Sequence, residues 1–443
     1  MRDTKTVAEL ETRAALVIEL AKRAGATDVF ATATRSREVE TEMRAGKLEK
    51  VQEATSRSVT ARLWVDGRFG SHSTSDLRPD RLEAFVTDAV TLTGALQPDP
   101  DRSITDPALY EGRSDVDLEL LDPTVRSLAP EARRELLQAM QARVDGADHL
   151  ISATSGVYDS SSVVVAQSTN GFTGVQESGR LTLGTTVTLQ GQGDKRPEAG
   201  MWATARHRSD LLAADEVAGR ALDWALDRLG ADKGATANTT MLVHPRAAGS
   251  LLRRLLGPAS GSSVQQGRSY WADRLGKPAV SEALGVTDDP LIVRGLGSRH
   301  FDGEGIAARR MPIVTGGALQ NLFLDTTYAS KLDMAPTTGG PSNLVVQLGS
   351  RDLEALIGAT SRGYLVTRWL GGNMDSTTGD FSYGVQGFAI DKGARAGSVG
   401  EMNITGNMLD LFSRLAEVGD DPWPWSSTRV PTLVFEGVQF SGT

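Results

Sequence analysis

Two carboxyls close together allow one to donate a proton while the other accepts one. This chain carries such a pair at Asp302 and Glu304, in the segment Phe301-Asp302-Gly303-Glu304-Gly305. The flanking glycines favour another role, in which the acidic side chains accept hydrogen bonds from nearby backbone N–H groups, and this turn-capping role is preferred. The five histidines, His72, His149, His207, His244 and His300, never fall as a close pair. His244, before Pro245, reads as a strand-end residue and His300 as a solvated loop residue. Cysteine is absent, which excludes disulfides, thiolate nucleophiles and Cys-based metal sites. There is no G-x-S-x-G elbow, no phosphate-binding G-x-x-x-x-G-K-[ST] loop and no dinucleotide-binding G-x-G-x-x-G.

The acidic turn opens a longer unit, Arg299 to Asn343. Its order predicts a turn, a strand over Met311 to Val314, a Gly316-Gly317 hairpin, a second strand over Leu319 to Leu324, and a lead-out from Asp325 to Leu332. Neither face of the second strand is cleanly apolar. The pattern F-D-x-E-G, then Arg, a Gly turn, L-D-x-x-Y-A-x-K-L and T-x-G-G resembles the TldD/PmbA family, whose heterodimeric members are zinc metallopeptidases. Gly371-Gly372, Gly379-Asp380-Phe381-Ser382, Gly387-Phe388 and Glu401-Met402-Asn403-Ile404-Thr405-Gly406-Asn407 with Asp410 extend the resemblance, which is plain over 235–415 and collinear before it.

In catalytic members, the resemblance implies H-E-x-x-x-H on the helix that corresponds to Pro245 to Gly257. Two imidazoles would hold zinc and the glutamate would activate its water. Aligned on Leu251-Leu252 and Gly257, this chain has Arg253 and Arg254 at the first His and the Glu, and Pro258 at the second His. The family's third ligand, a Cys near 419–427, is missing too. The motifs Ser260-Gly261-Ser262-Ser263-Val264, Leu275-Gly276-Lys277 and Gly379 to Gly384 are similar to the PmbA-like, or TldE-like, partner subunit. No catalytic, metal or cofactor residue is therefore expected in this chain, and zinc is expected in the partner. Phe301, Asp302, Glu304, Gly305, Asp325 and Tyr328 are the guessed contacts to substrate or partner. For Arg253-Arg254 a solvated helix face is preferred over an anion or substrate-carboxylate clamp. For Trp423 and Trp425, packing over the C-terminal strand is preferred over a binding ledge.

The expected class is α+β: N-terminal sheet-and-helix domains, then a strand-rich TldD/PmbA-type C-terminal domain. A helix capped by Thr6 and stopped at Gly25 precedes strands at 28–34, 38–43, 48–53 and 58–65, with turns at Ala45-Gly46-Lys47 and Asp66-Gly67. A helix from Pro79 to Gly94 completes an α+β subdomain, 1–96. Residues 97–122, rich in Pro and Asp, read as a linker. A second α+β subdomain, 123–230, holds a helix from Pro130, strands at 150–157, 162–168, 173–177 and 180–190, and a helix over 210–229. The C-terminal domain, 239–443, includes a helix over 407–418.

At 443 residues the chain is long enough for several domains. Its net charge of -9 and the lack of any long Lys/Arg cluster give no support to nucleic-acid contact. No stretch is apolar enough to span a membrane, and Met1 to Lys5 lead into an amphipathic segment rather than a signal-peptide core, so a cytoplasmic location is expected. The leading expectation is a non-catalytic subunit that pairs with a TldD-like paralogue carrying H-E-x-x-x-H and helps enclose a cavity for unfolded or flexible peptide. The alternatives are a paired hydrolase acting on a small amide or modified peptide of a biosynthetic pathway, and a metal-free homodimeric peptide-binding module.

Overall fold

The structure, a computed structural model, describes residues 3–443; Met1 and Arg2, the first two residues of the expected 1–96 subdomain, lie outside the described residues. Asp3, not Thr6, caps the first helix, α1 (Thr4–Arg23), by accepting a hydrogen bond from the Thr6 N–H. Leu10, Ala14, Val17 and Ala21 form its buried stripe. Next come β1 (Asp28–Arg44), β2 (Lys47–Val65), β3 (Arg68–Thr74), α2 (Pro79–Gly94), α3 (Pro123–Arg126) and α4 (Pro130–Val144). They are followed by β4 (Leu150–Ser168), β5 (Thr173–Leu189), β6 (Glu198–Ala205) and α5 (Ala214–Leu226).

The expected α+β class holds, but the two N-terminal subdomains do not separate. One six-stranded antiparallel sheet, in the order β3-β2-β1-β4-β5-β6, runs through both, because β1 pairs along its length with β4. Expected pairs of short strands are single strands of 17 to 19 residues, since Ser36 is opposite Ser56 on one side and Ser162 on the other. The helices bury one face of the sheet in two clusters centred on Val17, Leu63 and Val86, and on Leu137, Val157 and Leu183. Within the second cluster Arg133 is fully sequestered against Asp159, with Nε–Oδ1 2.6 Å and Nη2–Oδ2 3.0 Å.

Residues 97–122 are a strap rather than a free linker. Leu118 and Leu120 are buried, and main-chain bonds tie the strap to Gly179, Arg294 and Ala307. The C-terminal half opens with β7 (Ala237–Val243), α6 (Pro245–Leu256), α7 (Gly261–Gln265), β8 (Val286–Asp288), β9 (Met311–Thr315), β10 (Ala318–Leu319) and α8 (Thr326–Lys331). β10 covers two residues, not the six expected, consistent with a sequence lacking a clean apolar face. The chain continues through β11 (Leu344–Val346), α9 (Leu353–Ala359), β12 (Arg362–Met374), β13 (Asp380–Asp391) and β14 (Ala394–Asn407). It ends with α10 (Met408–Ser413), β15 (Leu415–Val418), β16 (Thr428–Arg429) and β17 (Leu433–Ser441), so the helix expected over 407–418 gives way to a strand halfway.

β10-β9-β8-β11-β16 form one sheet and β14-β13-β12-β7-β17-β15 another, which closes on itself where β14 also pairs with β17. The main C-terminal core fills the space between these sheets, α6 and Trp271. The halves meet at an aromatic plug, Phe30, Trp64 and Phe172 with Tyr110 and Phe301. No helix among the described residues is long and apolar enough to cross a membrane.

Candidate functional site

The acidic turn is built into this junction. Phe301 sits edge-on to Phe172 at 5.2 Å, and a Cβ on Gly305, at φ +84°, would meet the Phe172 ring at 2.8 Å. Glycine is needed there because the backbone is left-handed and the ring is already in contact. Asp302, buried, accepts from the N–H groups of Glu304 (2.9 Å) and Ile306 (3.1 Å) with one oxygen and from the Thr338 hydroxyl (3.1 Å) with the other. Glu304 reaches forward to α8, accepting from the Thr326 N–H and hydroxyl, each at 2.9 Å. Burial pushes its carboxyl above the usual range, against the pull of those bonds.

Asp325 caps the same helix through the Tyr328 N–H at 2.7 Å. Tyr328 packs on Gly261, where a Cβ would come within 2.5 Å of its own Cβ. The structure thus brings Phe301, Asp302, Glu304, Gly305, Asp325 and Tyr328 into one neighbourhood, and both members of the acidic pair accept protein donors. The later motifs brace one another in the same way, with Asn407 donating to Thr378 O (2.7 Å) and Asp380 Oδ1 (3.0 Å).

Helix α6 is where the family resemblance implies metal chemistry. Pro245 sits in its first turn and His244 caps it, Nδ1 accepting from the Arg246 N–H at 3.1 Å. Ala248, Leu251, Leu252 and Leu255 are buried beneath it. Tyr270 and Trp271 fix its C-terminal end by donating to Leu255 O at 2.7 and 2.8 Å. Arg253 is exposed, as a solvated face requires. Arg254 is not: its guanidinium lies 4.0 Å over the Tyr383 ring and 5.6 Å from Trp369. Pro258 is buried in the following turn. These three positions do not fit a zinc ion, because two guanidiniums and a pyrrolidine ring offer no lone pair to a cation. Among the described residues no group of three His, Cys, Asp or Glu side chains is arranged to hold a metal.

His244 has a measurable consequence. Desolvation, reinforced by nearby arginines, holds its imidazole at about 3 against an ordinary 6.5. Between those values the unfolded chain binds more protons, so the stability present above 6.5 is lost as pH falls toward 3. His244→Asn puts an amide oxygen in place of Nδ1 as the cap acceptor and removes the titration. In urea unfolding, the stability lost between about pH 7 and about pH 4.5 should be smaller in the variant by about 2–3 kcal/mol. An equal loss in both proteins would contradict the placement of His244.

Beside α6 lies a cleft of about 620 Å³ between the two halves of the chain, which sequence reasoning missed. Its lining includes Arg228, Arg246, Arg254 and Arg368 with Trp202, Trp224, Trp369 and Trp423. Trp423 and Trp425 pack on the core under α4 and α5, with Trp423 6.3 Å from Trp224, rather than over the C-terminal strand. The arginines come from α6, β12 and the turn after α5, so no local sequence pattern signals their convergence.

Comparison with known proteins follows the same outline. The PmbA/TldA metallopeptidase domain 1 model matches residues 28–93, and the PmbA/TldA metallopeptidase C-terminal domain model matches 236–442. The metalloprotease PmbA of Escherichia coli O157:H7 is 26% identical over 438 residues, covering 98% of this chain and 96% of its own. A crystal structure from Bacteroides thetaiotaomicron, described as a proposed modulator of DNA gyrase, is 35% identical and superposes with a TM-score of 0.95, covering 98% of this chain and 99% of its own. TldE from Thermococcus kodakarensis shares the fold at a TM-score of 0.84 and 20% identity, with 97% and 100% covered. Two family models in register with the fold and full-length relatives on both comparisons place this chain in the PmbA/TldD metallopeptidase family.

Proposed function

We propose that this chain is the non-catalytic subunit of a heterodimeric TldD/TldE-type zinc metallopeptidase that cleaves unfolded or flexible peptides in the cytoplasm. The observation that carries the reading is α6, where Arg254 is stacked on Tyr383 and Pro258 is buried at positions the family resemblance assigns to catalysis. A chain in this fold without those groups contributes through association: it walls the cavity and presents edges and pockets to a peptide. Zinc, held by the partner, would supply the activated water. The β1–β2 hairpin offers one place for apolar contact with a partner, since Leu48 and Val51 are more than half exposed near its tip.

The test is co-expression with a TldD-like paralogue that carries H-E-x-x-x-H, followed by purification through a tag on this chain alone. A stoichiometric complex burying on the order of 2,000 Å², with chelator-sensitive hydrolysis of an unfolded peptide, is expected. Separate elution of the two chains, or a stable homodimer that ignores the paralogue, would overturn the reading.

A further inference from the structure

The cleft beside α6 concentrates positive charge that the protein leaves unpaired. Arg246 donates its Nε–H to Thr367 O at 2.9 Å and lies 3.7 Å over Trp224, and among the described residues its terminal nitrogens have no hydrogen-bond acceptor. Arg254 Nη1 is buried without any hydrogen-bond partner. Arg368 makes one long contact, 3.5 Å, to the Glu198 main-chain oxygen. Among the described residues none of Arg228, Arg246, Arg254 and Arg368 forms an ion pair. Glu198, the carboxylate in the lining, accepts from the Thr188 hydroxyl at 3.2 Å.

Burial holds Arg246 at about 9 and Arg228 at about 10; neighbouring arginines add to the effect, and Asp227, with Glu198 beside Arg228, opposes it only in part and without an ion pair. Buried charge that carboxylates offset only in part is costly to a fold, and an oxyanion seated among the guanidiniums lowers that cost. The planar guanidinium fork matches the two oxygens of a carboxylate.

The cleft also has features an inorganic anion does not need. Its volume exceeds that of such an ion, and Met201, Trp202, Trp369 and Trp423 give it apolar walls. β6, which supplies residues 198–202 of the lining, is the edge strand of its sheet, with no strand paired on its outer side, where the Glu198 carbonyl takes only the long Arg368 contact. We propose that this cleft binds the C-terminal carboxylate of a peptide running along β6, with Arg246 and Arg254 clamping the carboxylate and Arg228 and Arg368 neutralising its charge. This inference rests on the peptidase-subunit reading for its ligand class. In that reading the helix position that lost its metal-binding residues has become a guanidinium site for a chain end.

The experiment titrates the full-length protein, alone and with its zinc-bearing paralogue, with an N-acetylated hexapeptide of Ala, Ser and Gly ending in Leu. The peptide is used as the free acid and as the C-terminal amide, followed by calorimetry. The free acid is expected to bind at least about tenfold more tightly than the amide. Arg368→Gln, at an exposed position, and Arg254→Met are each expected to weaken the free acid by about tenfold and leave the amide unchanged. Should Arg254→Met fail to fold, Arg368→Gln carries the test. Equal affinity for acid and amide, or no binding of either, would overturn the proposal. So would binding of inorganic phosphate at the cleft with no carboxylate preference, which would assign the site to phosphoryl groups. Light scattering of the same samples reports pairing separately: loss of the acid preference in an intact complex sinks only the clamp, while failure to pair with the preference retained sinks only the subunit reading.

Discussion

Asp159→Ala is expected to cost about 3–5 kcal/mol of stability, more than any surface substitution in the sheet. Arg133 and Asp159 are 4% and 2% exposed at the side chain and share two bonds, so truncating the aspartate leaves a buried guanidinium with no anion. Arg37, 3.5 Å from the same carboxylate, loses a partner too but keeps Glu53 at 2.8 Å. Replacing the pair together, Arg133→Met with Asp159→Val, removes both charges and should recover most of the loss. Urea unfolding followed by tryptophan fluorescence measures this. A loss below about 1 kcal/mol for the single variant would mean that the pair is solvated or replaceable.

Restoring the family motif by Arg253→His, Arg254→Glu and Pro258→His should yield an unstable protein and no peptidase. The Arg254 change turns a cation over the face of Tyr383 into an anion there, which loses an attraction and sets negative charge against the negative face of the ring. Together with removal of the buried Pro258 the expected cost is about 3 kcal/mol or more. Of the three candidates for a third ligand, Asp420, Asp421 and His300, the Asp420 side chain is exposed to solvent and the other two are engaged elsewhere. Asp421 accepts from the Thr432 N–H and hydroxyl and from the Leu353 N–H, and His300 is bound to Val116 O at 2.8 Å on the strap. A catalytic zinc needs three protein ligands and an open position. Zinc-restored, chelator-abolished hydrolysis by the triple variant without its paralogue would show that a third ligand stands ready.

Local signals carried much of the fold. Asp66-Gly67 and Asn170-Gly171 mark hairpins because glycine takes the positive φ those turns need, and Pro79, Pro130 and Pro245 mark helix starts because their fixed φ suits the first turn. The length of the central strands was hidden, since Ser36, Ser56 and Ser162 break the apolar pattern; Ser36 and Ser162 are held as strand by pairing on both sides, and Ser56 by its pairing with Ser36. β6 was missed although Ala199, Met201, Ala203 and Ala205 alternate inward along it. The strap over 97–122 reads as loose chain because its anchors, Gly179 and Arg294, are remote in sequence.

For the site, the turn-capping role of Asp302 was legible from the glycines around it, whereas the reach of Glu304 to Thr326 depends on tertiary placement. Arg253 and Arg254 look alike in sequence, yet one faces solvent and the other lies on an aromatic ring supplied by β13. The cleft arginines, spread from 228 to 368, converge only in the folded chain.

Zinc content per chain tests the central claim most directly. After metal-free purification and dialysis against limiting zinc, elemental analysis of this chain alone should find no stoichiometric metal, and the complex with the H-E-x-x-x-H paralogue should hold zinc in proportion to the paralogue. About one tightly bound zinc on this chain in isolation would contradict the account, because it would require a ligand set that α6 and its surroundings do not provide.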